Sequence, residues 1–243
     1  MKRAARLIGV GVGPGDPELM TLKAVRALRE ADVLAHFAKA GRTGNARAIA
    51  ASHMQPGAVE LPLRYPVTTE IPTSDPAYGA AIDAFFDASA ATVAQHLDQG
   101  RTVAVLSEGD PLFYGSYMHL HFRLGHRYPT EVIPGVTSLS GCWSAAGLPL
   151  ARGDEVLSVV PGTLDAAALR ARLASADAIA IIKVGRNLTK IREAVADAGR
   201  LDGAVYVERG TMADSRIMPL DEKSDGGAPY FAVVLVPARR PGA

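Results

Sequence analysis

Three glycine- and proline-rich segments hold the residues of this chain whose types and spacing could do chemistry. The first is Gly9-Val10-Gly11-Val12-Gly13-Pro14-Gly15-Asp16. Glycines at a strand end let the backbone turn sharply and approach a ligand closely. A dinucleotide fingerprint would need G-x-G-x-x-G. Counting from Gly9 puts Pro14 at the third glycine, and counting from Gly11 puts Asp16 there. No Gly-Lys-Ser/Thr follows, so a Walker loop is absent too. The second segment, Ser107-Glu108-Gly109-Asp110-Pro111-Leu112-Phe113-Tyr114-Gly115, joins two carboxylates, glycine and two aromatic rings in one loop. A carboxylate there could bond an ammonium or ribose hydroxyls, and the rings suit an amphipathic ligand. The third, Ile133-Pro134-Gly135-Val136-Thr137-Ser138, offers hydroxyls and free amides at a helix start. Each segment, taken alone, also reads as a capped strand-to-helix turn.

Other constellations carry less. His119 and His121 stand two apart on an expected helix, so they do not share a face, and no metal site is expected. Ser116 and Ser138 lack the glycine-framed elbow of a serine nucleophile. The 243 residues carry a formal net charge of +1, without the basic excess of a general nucleic-acid binder. Cys142 is the single cysteine, which excludes an intrachain disulfide and fits a reducing, cytoplasmic setting. The basic start at Lys2, Arg3 and Arg6 is followed by an apolar run over 7–12 only, too short for a signal core or a membrane span.

The elements that must position these loops follow from patterning. Residues 7–12 read as a buried strand, and Thr21 caps a helix reaching about residue 31. Strands are expected at 33–35, 59–61, 102–106 and 131–133, with helices at 45–54, 75–98, 116–124 and 137–146. The segment 64–74 is dense in Pro and Thr and reads as a loop. The alternation predicts an α/β domain with a mostly parallel sheet over 1–147, and 148–152 looks like a linker. A second alternating set fills 153–243, where strands at 217–220 and 231–236 read as an antiparallel hairpin and make the second sheet mixed.

Taken in order, these segments resemble the tetrapyrrole methylase family, the class III S-adenosyl-L-methionine methyltransferases. The match rests on G-V-G-P-G-D-P-E-L-M-T-L-K-A at 11–24, E-G-D-P-L-F-Y-G at 108–115, I-P-G-V-T-S at 133–138, G-L-P-L at 147–150 and E-R-G-T at 208–211. Within the family, Leu63-Arg64-Tyr65-Pro66-Val67-Thr68-Thr69-Glu70 resembles the loop of the members that methylate C20 of precorrin-2. Glu108 replaces the first glycine of the Gly-Gly-Asp-Pro loop usual in uroporphyrinogen methylases.

The resemblance implies two α/β domains with an active-site cleft between them, a homodimer, and a tetrapyrrole substrate. It implies methyl transfer from S-adenosyl-L-methionine to C20 of precorrin-2, giving precorrin-3A on the route to cobalamin and leaving S-adenosyl-L-homocysteine. Carried over by motif, Pro14, Glu108, Gly109, Asp110, Phe113, Thr137, Ser138, Val184, Gly210 and Thr211 are the donor contacts. Val184 stands where relatives often have Met. Tyr65, Thr68, Thr69 and Asp16 are the substrate-side residues. Glu108, Asp110, Tyr114 and Glu70 are unranked candidates for a general base, which the chemistry does not oblige. The rivals are methylation of cobalt-factor II or of uroporphyrinogen III, and a nucleotide-binding module without turnover.

Overall fold

The computed structural model describes residues 5–66, 76–223 and 226–239. The chain forms two compact units, Met1–Thr137 and Ser138–Ala243.

The first unit is built on strands β1 (Leu7–Gly11), β2 (Val33–Lys39), β3 (Val59–Tyr65), β4 (Val103–Ser107) and β5 (Thr130–Ile133). They form one sheet in the order β3-β2-β4-β1-β5, parallel throughout. Every residue of β1 and β4 is buried, as a parallel sheet covered on both faces requires. Helices α1 (Leu22–Glu30), α2 (Asn45–Ala50), α3 (Pro76–Asp98) and α4 (Tyr117–Leu124) alternate with the strands. Thr21 caps α1, its hydroxyl accepting from the Ala24 N–H at 3.1 Å. On α3, Phe86, Ala90, Val93, Ala94 and Leu97 recur at three- and four-residue spacing and bury one face. That face meets Val33, Ala35, Val103, Val105 and Leu120 in the core.

Gly9 serves this core. A Cβ there would run into the ring of Tyr117, which is fully buried beneath β1. Burial pushes the Tyr117 phenol up to about 12.

β3 extends to Tyr65, past the expected end at residue 61, so Arg64 and Tyr65 belong to a strand and not to the loop. Pro62 is tolerated because β3 is an edge strand, one side of which carries no ladder bonds.

The second unit contains α5 (Ser138–Ala145), β6 (Leu157–Pro161), α6 (Ala166–Ser175), β7 (Ala178–Ile182), α7 (Leu188–Asp197), β8 (Val205–Glu208), β9 (Arg216–Pro219) and β10 (Ala232–Val236). Its sheet runs β6-β7-β10-β8-β9. β6 and β7 are parallel and the remaining pairs antiparallel, so the sheet is mixed as expected. The expected hairpin is corrected. β9 pairs with β8, and β10 inserts between β7 and β8. The buried, β-branched β10 belongs at the sheet centre, whereas the exposed Arg216 and Ile217 of β9 suit an edge.

The boundary between units falls before α5, ahead of the expected 148–152 linker, because α5 packs on β10 and its Cys142 abuts Gly210. Arg200 locks the amino end of this sheet. It is buried and donates to the carbonyls of Leu173, Ala176, Asp177 and Pro237. Among the described residues, no helix is long and apolar enough to cross a membrane.

Candidate functional site

Strand order explains where a site can form in the first unit. From β1 the chain leaves toward β2, and from β4 it leaves toward β5 on the other side. Adjacent strands whose connections diverge open a crevice at their carboxyl ends. All three motif segments lie at that edge, following β1, β4 and β5.

The loops interlock through glycine backbone. The Val12 N–H donates to the Ser107 carbonyl at 3.0 Å, and the Gly109 N–H to the Gly13 carbonyl at 2.8 Å. A Cβ on Gly11 would lie 2.5 Å from the Gly135 nitrogen and 2.7 Å from the Gly109 carbonyl oxygen. A Cβ on Gly135 would land on that same oxygen. Gly11 and Gly135 therefore cross the Gly109 carbonyl where neither has room for a side chain. Gly13 (φ 82°) and Gly109 (φ 63°) also occupy left-handed backbone.

The carboxylates of the second loop face inward. Asp110 accepts the Leu112 N–H on Oδ1 at 2.9 Å and the Gly135 N–H on Oδ2 at 3.1 Å. It thus pins the loop after β4 to the loop after β5. Glu108 accepts the Ala46 N–H at 3.2 Å and a hydrogen bond from the Asn45 side chain. Its bonds go to the first turn of α2, and burial pushes its carboxyl above the ordinary value. Asn45 and Ala46 were not legible as part of the site, because nothing in their spacing announces Glu108 as a partner.

Further along, Phe113 and Tyr114 meet edge to face at 5.0 Å, and Tyr114 holds a left-handed φ of 56°. A non-glycine residue held there is a mark of local strain often found at functional sites. Tyr114 and Leu112 are about half exposed and make the loop's outer surface apolar. Pro14 is partly exposed at the turn after β1. Asp16 caps the short 3-10 turn Pro17–Leu19, accepting the Glu18 N–H at 2.9 Å, which gives it a local structural task. Thr137 is partly exposed and ends the first unit.

Tyr65, at the end of β3, packs against Phe37 and Phe85, which also touch each other, with its hydroxyl bonded to Ser116. Thr68, Thr69 and Glu70 lie outside the described residues. His119 stacks on Phe86 at 3.9 Å and His121 stands beside Tyr117, so the two rings serve different neighbours. Among the described residues, no group of metal-ligating side chains converges.

In the second unit, Ser138 opens α5. Val184 is fully buried in the hydrophobic core, so its side chain presents nothing to a ligand. Gly210 is required by packing, since a Cβ would sit 2.9 Å from Cys142 Sγ and 3.0 Å from its Cα. The residues just after β7 and β8, Lys183 and Arg209, both hold left-handed backbone, at φ 55° and 52°. Arg209 is held by Glu208 at 3.0 Å and Asp214 at 3.2 Å, and Glu208 also accepts from Tyr206 at 2.9 Å. Thr211 lies in the same strand-end turn. A groove of about 350 Å³ lined by Asp202, Gly203, Asp221 and Glu222 opens at the amino end of β8, away from Gly210.

An all-parallel sheet with interlocked glycine loops at its carboxyl edge, followed by a mixed-sheet unit, is an α/β architecture shared with solved uroporphyrin-III C-methyltransferase structures. Residues 6–223 match the family model of Tetrapyrrole (Corrin/Porphyrin) Methylases, and the chain belongs to that family. Among relatives, it is 66% identical to a Precorrin-2 C(20)-methyltransferase of a Sinorhizobium species, over 96% of this chain and 95% of the relative. It is 28% identical to the Cobalt-precorrin-2 C(20)-methyltransferase of Salmonella typhimurium, over 95% of each chain. Among solved structures, uroporphyrin-III C-methyltransferase from Thermus thermophilus, complexed with S-adenosyl homocysteine, is similar with a TM-score of 0.66 and 26% identity, covering 95% of this chain and 96% of that one.

Proposed function

We propose that this protein transfers a methyl group from S-adenosyl-L-methionine to C20 of precorrin-2, giving precorrin-3A in cobalamin biosynthesis. The observation that carries the reading is the 66% identity to a precorrin-2 C(20)-methyltransferase along nearly the full length of both chains. Metal-free precorrin-2 is favoured over its cobalt complex, since identity to the enzyme named for the cobalt substrate is 28%.

The residues of the first unit fit the donor. Gly109 and Gly135 keep the loop backbones close, while Pro14, Leu112 and Phe113 add apolar surface beside the strand ends. Gly109, Asp110, Phe113, Pro14 and Thr137 are the proposed donor contacts here, with Ser138, Gly210 and Thr211 from the second unit. Val184 contributes through its backbone, because its side chain belongs to the core.

When bound, the donor supplies an electrophilic methyl on a sulfonium, and the macrocycle supplies the nucleophilic carbon. The protein's own work is then alignment and exclusion of water, which convert a bimolecular encounter into an oriented one. Asp110 performs this work indirectly, by fixing Gly135 against the donor loop. Glu108 holds α2 in the same way. Glu108, Asp110 and Tyr114 are the described candidates for any later proton removal, and Tyr114 is the most exposed of them. The working form is proposed to be a cytoplasmic homodimer.

Incubation with labelled donor and metal-free precorrin-2 tests the assignment. One methyl group at C20 is the expected product. Transfer to uroporphyrinogen III or to the cobalt complex alone would refute it, and donor binding without turnover would favour a binding module.

A further inference from the structure

At the far end of the donor loop, a serine stands where a helix cap belongs and does not cap. Ser116 immediately precedes α4, the position at which a serine hydroxyl ordinarily accepts an N–H of the first helical turn. Here Ser116 has helical backbone angles, φ −66° and ψ −22°, and makes no side-chain cap bond. Its hydroxyl is bonded instead to the Tyr65 hydroxyl.

Tyr65 is well placed to hold it. The ring lies 5.7 Å from that of Phe37 at an interplanar angle of 30°, and 4.6 Å from that of Phe85. Phe86 meets it edge-on at 6.2 Å. Rings packed from β2 and α3 fix the direction of the phenol, so little freedom is lost when its hydroxyl bonds. Between Ser116 and β4 lies the loop 108–115. Its near end is tied down by Gly109 on Gly13 and by Asp110 on Gly135. Its far end contains Tyr114 at φ 56° and Gly115, where a Cβ would lie 2.7 Å from the Pro111 carbonyl oxygen. That tight, left-handed turn needs a fixed exit.

We propose that Tyr65 is a positioning residue for the methyl donor, acting through Ser116 to fix the exit of the donor loop, and is not itself a contact for the tetrapyrrole. The inference rests on the donor reading given above. It assigns to Tyr65 a task different from the substrate contact implied by the family resemblance.

Calorimetric titration of S-adenosyl-L-homocysteine into wild-type protein and the variants Tyr65→Phe, Ser116→Ala, Ser116→Thr and the Tyr65→Phe/Ser116→Ala double variant tests it. Each single deletion is expected to weaken binding by about five- to ten-fold, the worth of one hydrogen bond. The double variant is expected to bind no more weakly than either single one, because one interaction can be removed only once. Ser116→Thr, which keeps the hydroxyl, should restore binding. Unchanged affinity in both single variants, or losses that multiply in the double, would overturn the proposal. So would a Tyr65→Phe variant that raises only the KM for precorrin-2 while Ser116→Ala is silent, since that is the behaviour of a substrate contact. Should Tyr65→Phe fail to fold, the contrast between Ser116→Ala and Ser116→Thr still decides. Wild-type protein that binds no S-adenosyl-L-homocysteine would instead refute the donor reading and take this proposal with it.

Discussion

Asp110 and Gly135 are joined by a 3.1 Å hydrogen bond from the glycine N–H to Oδ2, while Oδ1 accepts the Leu112 N–H at 2.9 Å. One carboxylate thereby braces two loops. Asp110→Ala should orphan both amides and cost about 1–3 kcal/mol for each amide that water cannot reach. Donor affinity should fall with it. Asp110→Asn keeps one acceptor oxygen and should lie between wild type and Ala in both urea midpoint and S-adenosyl-L-homocysteine affinity. Full donor affinity in the Ala variant would show that the brace is dispensable.

The glycine crossing predicts a harsher outcome at Gly11. An alanine methyl there meets backbone at 2.5 Å from Gly135 and 2.7 Å from Gly109, with no flexible side chain to yield. Gly11→Ala should cost about 3 kcal/mol or more and abolish donor binding. Thermal melting with and without S-adenosyl-L-homocysteine checks both. A melting point within a degree or so of wild type would contradict the crossing.

Glu108 predicts a pH dependence of stability. Burial raises its folded-state pKa above the ordinary 4.5, so the folded protein holds this proton more tightly than the unfolded chain. The neutral form's contribution is complete below about pH 4.5 and is lost as pH rises through the raised value. Glu108→Gln keeps an acceptor for the Ala46 N–H and never ionises. Its stability relative to wild type should therefore grow from acid toward about pH 8. Melting curves of both proteins across that range provide the comparison, and a constant difference would remove Glu108 as the cause.

Cys142 should be chemically quiet. Its side chain is buried against Gly210, and burial pushes the thiol up to about 11. A disulfide reagent at about pH 8 should label it slowly in folded protein and rapidly in denaturant. Gly210→Ala, which drives a methyl into α5, should accelerate labelling and lower the urea midpoint.

Arg200 should matter only for stability. Its guanidinium reaches four carbonyls, at the end of α6 and beside β7 and β10. Arg200→Met leaves these acceptors without a donor and should cost about 3 kcal/mol or more, with Arg200→Lys intermediate. Donor affinity, measured well below the melting transition, should stay at the wild-type value.

Much of this arrangement was legible in the sequence where a residue type permits few conformations. Thr21 caps α1 where it was expected to, and β1 and β5 fall within a residue of the bounds that patterning required. The loops after β1, β4 and β5 were located by their glycines and prolines. What escaped was whatever depends on a distant partner. The length of β3 was hidden because Pro62 and Arg64 look unlike a strand until its edge position is known. The insertion of β10 between β7 and β8 was hidden because neighbours in sequence usually pair, and here they do not. The bracing tasks of Glu108 and Asp110 also escaped, since composition cannot reveal that their oxygens accept from Ala46, Leu112 and Gly135. The aromatic setting of Tyr65 draws on Phe37 and Phe85, which no local pattern connects to it.

The placing of β1 between β4 and β5 bears on how the protein is made. Leu7-Ile8-Gly9-Val10-Gly11 leaves the ribosome well before its partners, residues 103–107 and 130–133. Until those are synthesised, an apolar strand has both its edges unpaired. Such long-range pairing folds slowly and leaves nascent chains prone to association. Cells producing this protein in quantity should therefore depend on holdase chaperones during its translation, and a circular permutant starting ahead of α3 would shorten the wait.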